Sequence, residues 1–109
     1  MAADHGLTPA QLGRLKEILA PLAARLDRAV LFGSRASGAY LPYSDIDLAL
    51  CGQVEGKEAA RLYTLFMESS LPFRVDVLSY QTIKSGALKR HINQAGLTLF
   101  KKEDLMANG

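Results

Sequence analysis

Leu12, Leu15, Ile18, Leu19 and Leu22 recur at three- and four-residue spacing, which puts them on one stripe of an amphipathic helix. Thr8-Pro9-Ala10-Gln11 supplies its start. Thr8 serves as N-cap, Pro9 suits the first helical position, and Gln11 reaches back as in a capping box. Pro21 has no amide to donate, so this helix either ends near Ala20 or kinks there. Ala29-Val30-Leu31-Phe32, closed by Gly33, is the short apolar run of a buried strand. From Ser34 to Ser44 the chain is polar and punctuated by Gly38 and Pro42, a loop with room for one helical turn. Asp45-Ile46-Asp47-Leu48-Ala49-Leu50 alternates and then turns wholly apolar, which predicts a second strand ending at Gly52. Ala59, Leu62, Leu65 and Phe66 mark a second amphipathic helix from about Glu55 to Leu71, closed by Pro72. Phe73 to Leu78 predicts a third strand, with Phe73, Val75 and Val77 on one face and Arg74, Asp76 and Leu78 on the other. A helix over Thr82 to Gln94, a stop at Gly96, a short edge strand over Leu97 to Phe100 and a polar tail complete the pattern. The order α-β-β-α-β-α-β predicts an α/β (α+β) fold, one mixed sheet flanked by helices.

The 109 residues support one domain, with a core over about residues 8–100 and polar termini. With 49% hydrophobic and 22% charged residues, the chain is expected to fold. Its 13 basic and 11 acidic residues leave a formal charge of only +2, which argues against a nucleic-acid-binding surface. The single cysteine, Cys51, excludes an internal disulfide and a cysteine-rich zinc site, so a reducing cytoplasm is the expected compartment. No apolar run is long enough to span a membrane.

Acid on strands changes the picture. Aspartate is disfavoured there, yet Asp45, Asp47 and Asp76 stand in otherwise apolar strand runs. Asp45 and Asp47 share a face, with Cα atoms about 6.6 Å apart by strand rise. Asp76 joins them if the third strand lies beside the second in suitable register. Two such carboxylates about 4 Å apart repel by on the order of 4 kcal/mol at intermediate dielectric, so the cluster calls for cations. Oxygen-only ligands suit Mg²⁺ or Mn²⁺ better than zinc. Two such metals at roughly 3.5–4 Å separation serve in-line phosphoryl displacement. Upstream, Gly33-Ser34 ends the first strand with a glycine and a hydroxyl residue, which lets backbone amides and the hydroxyl approach a phosphate.

Gly33-Ser34, ten intervening residues, Asp45-Ile46-Asp47 and the later strand aspartate Asp76 resemble the signature of the DNA polymerase β-like nucleotidyltransferase superfamily. Phe32-Gly33-Ser34-Arg35-Ala36-Ser37-Gly38 with Ser44-Asp45-Ile46-Asp47-Leu48-Ala49 is similar, more narrowly, to the minimal nucleotidyltransferases. Ser37 stands where many of these carry Arg. The resemblance implies a polymerase β-like palm in which Asp45, Asp47 and Asp76 are catalytic and bind two Mg²⁺ (or Mn²⁺) ions. It implies that Gly33 and Ser34, supported by Arg35, hold the phosphates of ATP or another NTP. By the same resemblance the chain transfers NMP, AMP from ATP foremost, to a hydroxyl of a partner protein. That partner would be a helical HEPN protein encoded nearby, with this chain as the antitoxin of the pair, in a homo- or hetero-oligomer. The alternatives are a non-catalytic antitoxin acting by occlusion, and a nucleotidyltransferase of a small molecule such as an aminoglycoside.

Other residues divide between site and scaffold. Arg35 is balanced between a phosphate contact and a solvated charge, and Arg74, on the Asp76 face, between a salt bridge and a substrate contact. Ser44 reads as a turn residue orienting Asp45. Tyr40 and Tyr43 flank the loop, where packing competes with stacking on a base. His5 and His91 are isolated, and Cys51 reads as a small buried apolar residue. Lys84, Lys89, Arg90, Lys101 and Lys102 form a basic, solvated C-terminal face.

Overall fold

The computed structural model describes residues 5–38, 40–41 and 44–106. Tyr43 and Pro42 lie outside the described residues, as do both chain ends. Helix α1 (Pro9–Leu19) begins as its sequence predicts: the Thr8 hydroxyl accepts from the Gln11 amide and the Gln11 side chain accepts from the Thr8 amide. Pro21 ends the regular helix at Leu19, and one 3-10 turn over Ala20–Leu22 carries the chain onward. Strand β1 (Leu26–Phe32) starts three residues before the apolar run, because Asp27 and Arg28 point to solvent and mask its first half.

Next come α2 (Ser34–Ser37), β2 (Ile46–Gly52), α3 (Gly56–Met67), β3 (Val75–Ser79), α4 (Gly86–Ala95), β4 (Leu97–Lys101) and α5 (Lys102–Met106). The sheet order is β3-β2-β1-β4, with β1 antiparallel to β2 and β4, and β2 parallel to β3. The expected mixed sheet is therefore present. Helix α4 starts at Gly86 instead of Thr82, since Tyr80–Thr82 forms a separate 3-10 turn and Ser85 caps the helix through the Leu88 amide.

The core divides across the sheet. Ile46, Leu48 and Leu50 of β2 and Val75 of β3 pack with Leu15, Leu19, Leu62 and Phe66 under α1 and α3. Val30, Ala49 and Cys51 face the other way, where Ile92 of α4 covers them. The expected core limit at residue 100 is too short: Leu105 of α5 is 1% exposed and belongs to the α1–α3 side. Leu105-Met106 after a run of four charged residues leaves no periodic signal to read. Among the described residues no helix is long and apolar enough to cross a membrane.

Candidate active site

Strand alternation places Asp47 and Asp76 on the sheet face opposite α1 and α3, because Ile46, Leu48, Val75 and Val77 take the other face. The register then decides their neighbours. Phe32 pairs with Asp47 across β1 and β2, and Asp47 pairs with Asp76 across β2 and β3. Phe32, Asp47 and Asp76 thus form a row across the sheet, at the end where β1 finishes and β2 and β3 begin. Asp45 precedes β2 by one residue. The expected register of Asp76 with Asp47 is present; Asp45, expected inside the second strand, stands just outside it, and Phe73 and Arg74, expected in the third, precede β3.

Gly33 completes the row. Its φ of 80° and ψ of −153° lie in a region that only glycine populates freely. A Cβ here would run into the Asp47 carboxylate. The absent side chain is what lets the turn after β1 meet the Asp47 carboxylate. Ser34, half-buried, opens α2, and the Gly33 carbonyl accepts from the Ala36 and Ser37 amides, both at 3.2 Å.

The electrostatics follow from this crowding. Burial first, and then repulsion from Asp76 and Asp45, push the Asp47 pKa above the ordinary aspartate value, while Arg74 pulls it back. Arg74 donates to Asp45 at 3.0 Å and lies 3.7 Å from Asp76. Its own pKa is raised by the Asp45 hydrogen bond and by the charges of Asp45 and Asp76. Of its two competing roles, the salt bridge is the one the structure displays. Among the described residues no three His, Cys, Asp or Glu side chains converge closely enough to enclose a metal ion as they stand. The cation among these carboxylates is Arg74. As a donor set, carboxylate oxygens alone on a half-exposed face suit a hard divalent ion.

Arg35 requires a correction. Instead of facing a phosphate, it is 1% exposed and turned into the protein. Nε donates to the Ser44 carbonyl at 3.1 Å and a terminal nitrogen donates to the His5 carbonyl at 3.0 Å. The guanidinium lies over the rings of Tyr40 (5.1 Å) and Phe73 (4.9 Å). Burial lowers its pKa, and Tyr40 opposes that shift. Ser44 directly precedes Asp45, and Phe73 directly precedes Arg74, so Arg35 ties together the chain just ahead of both acid-bearing strands. Nothing in the spacing distinguishes this inward arginine from a solvated one, because the carbonyls and rings it meets follow no helix or strand period from Arg35. Arg35→Met is expected to lower stability by about 1–3 kcal/mol through loss of these charged hydrogen bonds, read as a fall in the urea midpoint.

The remaining residues behave as scaffold. The Ser44 hydroxyl accepts from the Leu41 amide at 2.7 Å, the turn role expected of it. Tyr40 packs on Arg35. Burial pushes the Cys51 thiol pKa up, which keeps it unreactive. His91 meets Phe32 edge-on at 6.5 Å, and Lys84, Arg90 and Lys101 are exposed. A concavity of about 390 Å³ lined by Ile18, Leu22, Leu62 and Leu65 lies on the α1–α3 side, across the sheet from the carboxylates.

Residues 14–105 match the family of the polymerase beta nucleotidyltransferase domain. The chain belongs to this family. The span common to the nucleotidyltransferases contains Gly33, Ser34, Asp45, Asp47 and Asp76. Over 53 residues the chain is 43% identical to a Haemophilus influenzae protein named "Probable protein adenylyltransferase MntA". That stretch covers 47% of this chain and 46% of the relative, so the match spans about half the length of each. In three dimensions the chain is similar to a toxin-antitoxin solved with AMP-PNP, with a TM-score of 0.69, 23% identity, and 83% of this chain and 73% of that chain covered. It is also similar to the toxin-antitoxin MntA-HepT, with a TM-score of 0.64, 20% identity, and 86% and 73% covered. At these identities the likeness establishes the nucleotidyltransferase fold.

Proposed function

We propose that this chain transfers AMP from ATP to a hydroxyl of a helical HEPN-type partner protein, as the antitoxin of a toxin-antitoxin pair in the cytoplasm. The observation that carries the reading is the register of Asp47 with Asp76, beside Asp45 and against Gly33, within a nucleotidyltransferase domain. The relatives' names point the same way: a protein adenylyltransferase, and a pair of MntA with HepT. An unpaired, buried Cys51 suits a reducing compartment.

In this reading Asp45, Asp47 and Asp76 hold two Mg²⁺ ions, Mn²⁺ serving equally. When bound, such ions offset the charge developing on the phosphoryl oxygens. Gly33 and Ser34 hold the β- and γ-phosphates. The Gly33 backbone brings its amide close because no Cβ intervenes. Asp76 takes the proton of the acceptor hydroxyl as its oxygen bonds to the α-phosphorus. The bond to the β-phosphate breaks, and pyrophosphate leaves with that electron pair. Arg35 keeps Ser44 and Phe73 in place, and so positions Asp45 and Asp76 without touching substrate.

The test is transfer of label from α-³²P-ATP, with Mg²⁺, to the co-purified partner. Label on the partner that disappears with Asp45→Asn/Asp47→Asn is the expected result. Equal labelling by that double variant would overturn the proposal. Because Arg74 already pairs with two of the carboxylates, occlusion without catalysis is the second reading; neutralisation of the partner by the double variant would favour it.

A further inference from the structure

We propose that Arg74 is the resident counter-cation of the active site: its guanidinium holds Asp45 and Asp76 in the metal-free protein, and a divalent ion loads only by displacing it. The inference rests on Asp45, Asp47 and Asp76 being the metal ligands. Its basis is geometric. One terminal nitrogen lies 3.0 Å from Asp45 and Nε lies 3.7 Å from Asp76, so a single planar group spans one carboxylate just ahead of β2 and one on β3. Among the described residues Asp47, which stands beside both, makes no ion pair. The guanidinium therefore pairs directly with the outer acids and acts on the central one only through space.

Displacement is mechanically simple. The Arg74 carbonyl accepts from the Ile46 amide at 2.8 Å, which pins its backbone beside Asp45 and Asp47. The side chain is 52% exposed, and those of Asp45 and Asp76 are 44% and 42% exposed. The guanidinium can swing into water without moving a strand and without burying a charge. A divalent ion and a guanidinium cannot share the same two carboxylate edges, because two cations at that separation repel. Metal affinity is thus reduced by the fraction of molecules in which Arg74 still holds the acids. Lysine would act less well, since its ammonium lacks the planar fork that presents separate donors to the two carboxylates in one fixed geometry.

The sign of one measurement separates this role from a scaffold role. Mn²⁺ binding to the whole chain, without nucleotide, is followed by loss of the free-ion EPR signal. Arg74→Gln is expected to tighten Mn²⁺ binding by roughly tenfold, from removal of the competing charge, and to lower the melting temperature of the metal-free protein. Arg74→Lys is expected to fall between wild type and Arg74→Gln in affinity. Unchanged or weaker Mn²⁺ binding in Arg74→Gln, with wild type binding normally, overturns the displacement. Should wild type bind Mn²⁺ no better than Asp45→Asn/Asp47→Asn, the metal-site reading itself has failed.

Discussion

Replacing Asp47 with asparagine is expected to abolish function and stabilise the metal-free protein at the same time. Transfer should fall by roughly 10²–10³-fold or more, the usual consequence of losing a group that supports transition-state charge. The melting temperature without metal should rise. Asp47 is the most conflicted of the three acids: burial disfavours its charge, and Asp76 and Asp45 repel it. Asparagine keeps the shape and removes the charge. After solvent screening, relief on the order of 1 kcal/mol corresponds to about 4–8 °C in a domain of this size. Mg²⁺ with ATP should reverse the order, because only the wild-type cluster gains stability from binding them. A lower melting temperature for metal-free Asp47→Asn would mean that the carboxylate is held by its neighbours instead of strained by them.

The same shift gives the effect a pH dependence of definite sign. The folded-state pKa of Asp47 lies above the ordinary value of 3.8. Between the unfolded and folded values the native protein therefore holds more of a proton than the unfolded chain does. Its stability falls as pH rises through that window. Below the window the penalty is absent, and above it the penalty is complete. The advantage of Asp47→Asn over wild type should thus be present at neutral pH and shrink on acidification towards pH 3.8. Paired melts of the two proteins across that range measure it.

Much of this site is legible in the sequence. The alternation of Ile46-Asp47-Leu48 and of Val75-Asp76-Val77 assigns Asp47 and Asp76 a sheet face by the two-residue strand period alone, whereas Asp45 stands just outside β2. Register is different in kind. Whether Asp76 meets Asp47 depends on how two strands separated by α3 dock, and no local pattern encodes the offset. The direction of Arg35 was likewise hidden, since a buried arginine and a solvated one look identical in a polar loop. Its partners, the carbonyls of His5 and Ser44 and the rings of Tyr40 and Phe73, come together only in the fold. Strand β1 and helix α5 show the opposite limit. Asp27 and Arg28 lie in a strand they do not resemble, where Arg28 pairs with β2 and β4 and Asp27 falls at the register shift between Leu26 and Arg28, while among the described residues of α5 Leu105 is the one in the core.

Gly33→Ala is the second large effect. Two costs add at this position. The backbone region at φ 80° and ψ −153° is close to glycine-only, and strain there is worth about 1–3 kcal/mol. The new methyl would also collide with the Asp47 carboxylate. Relaxation by a backbone flip would rotate the Gly33 carbonyl away from the Ala36 and Ser37 amides and loosen α2. Relaxation by Asp47 would turn its carboxylate out of the row with Asp76. A total destabilisation of about 2–4 kcal/mol is expected, seen as a lower denaturant midpoint. Combining Gly33→Ala with Asp47→Ala, which deletes the colliding carboxylate, separates the two costs. Measured against Asp47→Ala alone, whose lost charge shifts stability by itself, the double variant should recover the steric part of the loss and keep the backbone part. Recovery of all of it would place the whole need for glycine in the approach to Asp47. No recovery would place it in the turn alone, and the contact between Gly33 and Asp47 would then be incidental to stability.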